Sequence, residues 1–180
     1  MRAFVAIDVP TLEGSIPADL RPEDHLTLHF FEDLPVDRLP AVVEALTDAA
    51  GATERFDLQI RGVGAFPSAL RPRVVWAGTG DGREAVQSLV DRLRQSLAAR
   101  GFAPESRPFV PHLTLARIRS AREAAWAHRF LGNPEQADRV WVRWTVSELL
   151  LKESELLPTG ARHTIRERAV LGTRPPASAP

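Results

Sequence analysis

The chain lacks cysteine and has almost no lysine, and both absences exclude classes of function. None of its 180 residues is a cysteine, which excludes disulfide scaffolds, thiol nucleophiles and cysteine-ligated zinc or iron–sulfur sites. Among the 23 Lys and Arg residues only Lys152 is a lysine, and no glycine-rich loop lies beside it. The sequence therefore disfavours phosphate-loop NTPases, kinases and ATP-dependent ligases, which need such a lysine.

Long apolar runs and an excess of one charge are also absent. No apolar run approaches the ~20 residues that a membrane-spanning helix needs, and the N-terminus lacks the apolar stretch of a signal peptide. Lys and Arg number 23 and so do Asp and Glu, so no polybasic field covers the surface and any polyanion site must be local. We expect a cytoplasmic, monomeric protein that does not contact membranes.

Strand and helix patterns alternate along the chain. Period-2 or short apolar runs predict strands over 3–9, 25–30, 56–66, 71–80, 112–118, 139–154 and 163–171. Helical periodicity predicts helices over 36–50, 82–100 and 120–131, with Gly51 and Gly101 ending the first two. This order predicts an α+β fold with largely antiparallel sheets. We expect a single bilobal domain over 1–172 and a disordered tail over 173–180.

A short repeat is the most informative feature. The tetrad His-Leu-Thr-Leu at 25–28 recurs at 112–115, about half a chain later. It predicts an internal duplication into two pseudo-symmetric lobes, whose sheets line a central cleft with the helices outside. Because residues i and i+2 of a strand share a face, each histidine and threonine would face the cleft and each leucine the core.

Two imidazoles that flank one space suit in-line phosphoryl transfer on a ribose cyclic phosphate. One takes a proton from the attacking oxygen, and the other gives a proton to the departing ribose oxygen. Threonine hydroxyls can hold the non-bridging phosphate oxygens. The alternative is a purely structural duplication of edge strands, in which threonine recurs because it is favoured in β-strands. That alternative does not explain why histidine and threonine recur on the face away from the core, where packing requires neither residue.

The tetrads, together with GVGAFPSALRPRVVWAG and RPFVPHLTLAR, resemble the 2H phosphoesterases, and specifically the RNA 2′,3′-cyclic phosphodiesterases once named 2′-5′ RNA ligases. The resemblance runs nearly end to end. It implies hydrolysis of a 2′,3′-cyclic phosphate at an RNA 3′ end to a 2′-phosphate, with no metal and no cofactor. By motif position it implies that His25 protonates the ribose 3′ oxygen, that His112 activates water, and that Thr27 and Thr114 hold the phosphate.

Two departures from the family pattern lead to weaker predictions. The proline-rich segment 10–24 stands where the family usually has a helix, which predicts a lobe that is more open on that side. His29 follows the first tetrad, and period-2 counting places it on the face of His25 and Thr27, where a protonated ring could bind phosphate. His25 and His29 do not form a metal site, since a third ligand is missing and their spacing suits a helix.

Other side chains are weaker candidates. The guanidinium of Arg117 matches phosphate geometry, but strand alternation directs it away from His112, so a local twist would be required. Phe30 and Phe109 are candidates for stacking on a base. The same site could instead join RNA ends without ATP, act on 2′-5′ linkages or other cyclic nucleotides, or bind a nucleotide without catalysis.

Overall fold

A computed structural model describes residues 1–14, 17, 20–105, 108–158 and 160–172. Its strands are β1 (Ala3–Asp8), β2 (His25–Phe31), β3 (Phe56–Ser68), β4 (Arg71–Thr79), β5 (Leu113–Arg117), β6 (Val140–Val146), β7 (Glu148–Leu157) and β8 (Gly160–Val170). Its α-helices are α1 (Leu39–Gly51), α2 (Arg83–Ala99), α3 (Ala121–Leu131) and α4 (Pro134–Ala137), and a 3-10 turn at Val36–Arg38 precedes α1. The predicted disordered tail, 173–180, lies outside the described residues.

The strands form two four-stranded sheets with the orders β2-β1-β7-β8 and β5-β4-β3-β6. Every strand pair is antiparallel, which confirms the predicted α+β class. The strands that carry the tetrads, β2 and β5, occupy the same edge position in their two sheets and contact each other. The predicted pseudo-symmetry of the two lobes is therefore confirmed at the level of sheet order.

The helices cover one face of the sheets and leave the tetrads on the other. The apolar positions of α2 recur at helical spacing, and all of them are buried (Val86, Leu89, Val90, Leu93 and Leu97). They pack with α1 and with the inward leucines of both sheets in one continuous core. None of the described helices is long and apolar enough to cross a membrane.

Two predicted boundaries are wrong for local reasons. Gly51 does not cap α1 but is its last residue, and the C-cap is Ala52 with φ −85°, so this end needs no left-handed residue. The predicted single strand over 139–154 is two strands, β6 and β7, which belong to different sheets. The chain crosses between the sheets at Ser147, where the polar pair Ser147 and Glu148 interrupts the apolar positions, and the prediction of one strand overlooked that interruption.

The segment 10–24 does not leave its side of the molecule open. Among its described residues, the Glu13 amide donates to the Trp141 carbonyl at 2.7 Å, and Leu20 is buried. The Arg21 and Glu23 amides donate to the carbonyls of Leu115 and Thr114, each at 2.8 Å. The segment thus follows the free edge of β5 before it enters β2, and the expectation of a more open lobe is wrong for these residues.

Candidate active site

Each tetrad lies on an edge strand with its leucines in the core. In β2, His25 pairs with Asp8 of β1, and Thr27 pairs with Ala6. His112 comes immediately before β5, in which Thr114 pairs with Trp76 of β4. The four tetrad leucines, Leu26, Leu28, Leu113 and Leu115, are at most 1% exposed. The predicted division between a polar face and a core face is confirmed within each tetrad.

Both tetrads end in a β-bulge at the same position. The partner of Ala6 is Thr27, but the partner of Val5 is His29, so Leu28 is an extra residue in β2. In β5, Thr114 pairs with Trp76, and Ala116 pairs with Val75, the next residue of β4. Leu115 is therefore the extra residue there. A bulge disrupts the ladder locally and redirects the residues beyond it. Beyond each tetrad, simple alternation therefore fails.

For His29 the bulge contradicts the face predicted by period-2 counting. His29 pairs with Val5, and its ring lies 4.5 Å from that of Phe31 (centroid to centroid), which places it on the opposite face of β2 from Thr27. Its side chain is only 7% exposed. Burial lowers the pKa of His29, which favours the neutral ring over a protonated phosphate ligand. His29 nonetheless lines a cavity together with Thr27 and His112.

For Arg117 the bulge supplies the local irregularity that its predicted role required. Arg117 pairs with Val74 while Thr114 pairs with Trp76, and since Val74 and Trp76 share a face of β4, so do their partners. Arg117 is exposed, and its Nη2 donates to Glu23 Oε1 at 2.7 Å. The other oxygen of that carboxylate, Oε2, lies 3.8 Å from His25 Nε2. Glu23 thus links Arg117 to the first tetrad.

A carboxylate and two aromatic rings hold His25. Its Nδ1 donates to Asp24 Oδ1 at 2.8 Å, and its side chain is 5% exposed. The ring centroid lies 4.7 Å from that of Phe4 and 5.3 Å from that of His163. The hydrogen bond from His25, assisted by the nearby Lys152, lowers the pKa of Asp24. The ionised Asp24 therefore faces the imidazole and stabilises a positive charge on it.

A backbone carbonyl and an aromatic wall hold His112. Its Nδ1 donates to the Val110 carbonyl at 2.8 Å, and because a carbonyl only accepts, Nε2 of the neutral ring keeps its lone pair. Phe66 meets the ring edge to face at 5.0 Å, and Trp76 lies 6.3 Å away (centroid distances). The two histidines therefore differ in their Nδ1 partner, although their tetrads are identical.

Sequence reasoning missed several groups around the first tetrad. Asp24 and Glu23 precede His25 directly, so their position in the chain was a usable signal. Lys152 of β7 is 4% exposed and ion-pairs with Asp8, the cross-strand partner of His25. His163 of β8 reaches His25 only through the sheet order, and nothing local in the sequence indicates that. Burial, and next the charge of His25, lower the pKa of His163.

Two cavities border the tetrads. The larger, about 500 Å³, contains Thr27 and His112 together with both candidate stacking residues, Phe30 and Phe109. The smaller, about 250 Å³, is lined by Thr114, Arg117 and Glu23, among others. In the described part of the chain, no group of three or more His, Asp or Glu side chains is arranged to hold a metal ion.

Comparison with known proteins places this site in a family. A sequence model of the 2′-5′ RNA ligase superfamily matches residues 13–155. The chain belongs to this superfamily. An RNA 2′,3′-cyclic phosphodiesterase of Aeropyrum pernix is 38% identical over 136 residues, which cover 76% of this chain and 75% of that protein. Another, of Methanothermobacter thermautotrophicus, is 35% identical over 182 residues, covering 93% and 97% of the two chains.

Solved structures of the superfamily share the whole fold. A crystal structure of a Thermus thermophilus protein superposes with a TM-score of 0.71 at 26% identity, covering 96% of this chain and 99% of that one. Escherichia coli LigT complexed with 3′-AMP superposes with a TM-score of 0.67 at 25% identity, covering 94% and 97%. The resemblance to 2H phosphoesterases inferred from the repeated tetrads is thereby confirmed.

Proposed function

We propose that this member of the 2′-5′ RNA ligase superfamily is an RNA 2′,3′-cyclic phosphodiesterase that converts a 2′,3′-cyclic phosphate at an RNA 3′ end to a 2′-phosphate. The observation that carries the proposal is the pair of His-x-Thr tetrads on adjacent sheet edges, with a different Nδ1 partner for each histidine. The relatives that cover most of the chain carry the same activity in their names.

His112 is the general base in this proposal. The Val110 carbonyl holds its proton on Nδ1, so the Nε2 lone pair is available to take a proton from water. As the water oxygen forms its bond to phosphorus, that proton passes to Nε2. A base must be neutral to act, and a carbonyl partner stabilises a cationic ring less than a carboxylate does.

His25 is the general acid. The ionised Asp24 accepts from His25 Nδ1, a charged partner that suits an imidazolium donating from Nε2 better than the carbonyl partner of His112 does. When the bond between phosphorus and the ribose 3′ oxygen breaks, this proton goes to the departing oxygen. The product is a 2′-phosphomonoester with a free 3′ hydroxyl, and a proton exchange with solvent resets both rings.

The neighbouring polar groups bind the phosphate. The hydroxyls of Thr27 and Thr114 donate to its non-bridging oxygens. Arg117 adds a charged hydrogen bond once the phosphate competes with Glu23 for its guanidinium. His29, whose pKa is lowered by burial, does not bind the phosphate but lines the larger cavity beside it. A cytoplasmic, monomeric protein with one bilobal domain over 1–172 and no cofactor stays our prediction.

One assay tests the reaction. Purified protein is incubated in excess EDTA with an RNA that ends in a 2′,3′-cyclic phosphate, and the product isomer is identified. We expect a 2′-phosphate at an undiminished rate, because two histidines can supply both proton transfers. A 3′-phosphate product, activity that returns only with added metal, or joined RNA ends as the main product would overturn the proposal.

A set of variants tests the roles. His25→Ala and His112→Ala should each lower kcat by ~10²–10⁴, the usual contribution of a general acid or base. An activated aryl phosphodiester, whose leaving group needs no proton, should rescue His25→Ala far more than His112→Ala. The control is His128→Ala, an exposed histidine of α3 outside the site. Equal rescue of both variants would show that the roles are wrongly assigned.

A further inference from the structure

The larger cavity beside the tetrads has a polar end that phosphoryl transfer does not use. Thr27 and His112 line the cavity, and so do three polar groups that lie close together, His29, Arg94 and Glu105, which we call its polar end. Aromatic rings line it as well, those of Phe30, Phe66 and Phe109. Its volume of about 500 Å³ falls in the range of roughly 300–1,000 Å³ that is typical of small-molecule sites.

Hydrogen-bonding groups at the polar end are left without partners. Arg94 Nη2 donates to Glu105 Oε2 at 2.7 Å. Neither Arg94 Nε nor His29 Nδ1, both buried, has a hydrogen-bond partner among the described residues. Glu105 Oε1 is 3.9 Å from His29 Nδ1, too far for a hydrogen bond. Buried polar atoms are almost always paired, and these two lie behind the cavity surface. The groups that a ligand can reach are the exposed parts of Arg94 and Glu105, whose side chains are 23% and 35% exposed and line the cavity.

The remaining lining of the cavity suits the flat face of an aromatic ring. Phe30 and Phe109 lie on the cavity wall, and the Arg94 guanidinium is positioned over the Phe109 ring, with its Cζ 5.9 Å from the centroid. Aromatic side chains and guanidinium planes are the surfaces on which unstacked bases pack in RNA-binding proteins. Burial lowers the pKa of His29, so near neutral pH its ring offers a neutral hydrogen-bonding group.

We propose that this cavity is the subsite for the base of the terminal nucleotide and that its polar end selects guanine. The inference rests on the proposed function, since the ribose would join the base to a phosphate held at Thr27 and His112. Among the four bases, guanine alone presents two adjacent donors, N1–H and the N2 amino group, beside an acceptor, O6. The Glu105 carboxylate accepts from both donors, and the exposed part of the Arg94 guanidinium donates to O6.

Substrates that differ only in the terminal base test the inference. We would measure kcat/KM on four dinucleotides that end in a 2′,3′-cyclic phosphate, with guanine, adenine, uracil or cytosine at that end. Guanine should be favoured by about tenfold or more, because hydrogen bonds to charged groups contribute ~1.5–3 kcal/mol and each 1.4 kcal/mol is a factor of ten. Comparable kcat/KM on all four substrates would overturn the inference.

Glu105→Gln is the decisive variant. A glutamine amide has a single acceptor oxygen, so the guanine preference should fall to within about twofold while the other three substrates keep their kcat/KM. The matched control is Glu44→Gln, which also breaks an arginine–carboxylate pair, that with Arg100, and lies on α1 outside the cavity. It should keep the preference. An equal loss on all four substrates in Glu105→Gln would contradict base recognition.

Equilibrium binding separates the two proposals. Binding of 2′-GMP and 2′-AMP is measured by calorimetry in EDTA, on the wild type and on Glu105→Gln. Tighter binding of 2′-GMP that disappears in the variant, without hydrolysis of any cyclic phosphate, supports the base subsite and refutes the proposed reaction. Hydrolysis of all four substrates with equal binding of the two nucleotides refutes the subsite and leaves the reaction standing.

Discussion

The imidazoles of His25 and His163 meet edge to face, with centroids 5.3 Å apart and ring planes at 85°. They come from β2 and β8, the two outer strands of one sheet. Both rings also pack on Phe4, with centroid distances of 4.7 and 4.9 Å. The curl of the sheet thus brings a histidine from the closing strand against the proposed general acid, where it shields one side of that ring from water.

We predict that His163 positions His25 through its shape and not through its charge. His163→Ala should admit water beside His25, lower kcat by about tenfold, and move the basic limb of the kcat/KM profile to higher pH, because a solvated imidazolium holds its proton more readily. His163→Phe should retain the wild-type profile, since it keeps a ring in the same place. The measurement is the pH dependence of kcat/KM for both variants.

Two outcomes would contradict that role. If His163→Ala and His163→Phe lose the same activity, a ring is not what the site requires. If neither variant changes the pH profile, His163 serves only packing. His128→Ala is the control for loss of an exposed histidine from the chain.

We predict that Asp24 affects only the proton donation by His25 and not the activation of water by His112. Asp24→Asn removes the negative charge that His25 Nδ1 faces at 2.8 Å, so the protonated ring is less stabilised. The basic limb of kcat/KM should move to lower pH, and kcat near neutrality should fall by about tenfold, in line with the ~1.5–3 kcal/mol of a charged hydrogen bond. An aryl substrate that needs no acid should be unaffected.

The matched control is Asp138→Asn, in which an exposed carboxylate loses its ion pair with Arg61. It should leave the profile unchanged. Movement of the acidic limb in Asp24→Asn would mean that His25 is the base, and the two roles would then have to be exchanged.

Gly64 gives Trp76 room to lie against the sheet beside His112. A Cβ at Gly64 would stand 2.3 Å from the Trp76 indole. Gly64→Ala should therefore lower the free energy of unfolding by about 1–3 kcal/mol, the usual cost of overpacking, and reduce kcat because the wall of His112 shifts. Urea unfolding and steady-state kinetics measure the two effects. The double variant with Trp76→Leu should regain stability if the clash is the cause.

Gly51→Ala is the control for this substitution. A Cβ there meets nothing within 4 Å, and Gly51 lies inside α1, where alanine is favoured over glycine by up to about 1 kcal/mol. It should be neutral or stabilising. Destabilisation of both variants to the same extent would contradict the steric argument at Gly64.

Burial of His29 should make the protein less stable in mild acid. Because burial lowers its pKa in the folded state, the unfolded chain binds the proton more readily. The free energy of unfolding should therefore decrease as the pH falls below about 6.5, the ordinary value for histidine. His163, whose pKa is also lowered, contributes with the same sign.

Urea unfolding between pH 5 and pH 8 checks this linkage. His29→Gln should flatten the pH dependence in part, leaving the share of His163, whereas His128→Gln should not change it. A wild-type stability that rises as the pH falls through this window would show that the sign is wrong.

The strands and the tetrad chemistry were accessible from the sequence because they depend on local periodicity. The alternation in His25-Leu26-Thr27-Leu28 directs leucine to the core in any strand that buries one face. The repeat then predicted two equivalent lobes. Local periodicity does not show which sheet a strand joins, so the polar pair Ser147 and Glu148 can mark a boundary between β6 and β7 but not that they lie in different sheets.

The face of the strand on which His29 and Arg117 lie, by contrast, was decided only by the tertiary structure. Leu28 and Leu115 become bulge residues through pairing with β1 and β4, and a single-strand pattern carries no information about the register of its partner. Each bulge redirects the side chains that follow it. Simple alternation therefore misplaced His29 and directed Arg117 away from the face on which it lies.

The sequence by itself determined which groups can do the chemistry: two histidines, two threonines and the strands that carry them. Only the tertiary structure decided which rings surround the two histidines, because identical tetrads acquire different long-range neighbours once the sheets are ordered. His163 of β8 packs on the His25 ring, whereas Phe66 of β3 and Trp76 of β4 lie beside the His112 ring. Likewise, Arg94 of α2 and His29 of β2 line one cavity only because the lobes share one core, and long-range packing of that kind leaves no periodic trace in the chain.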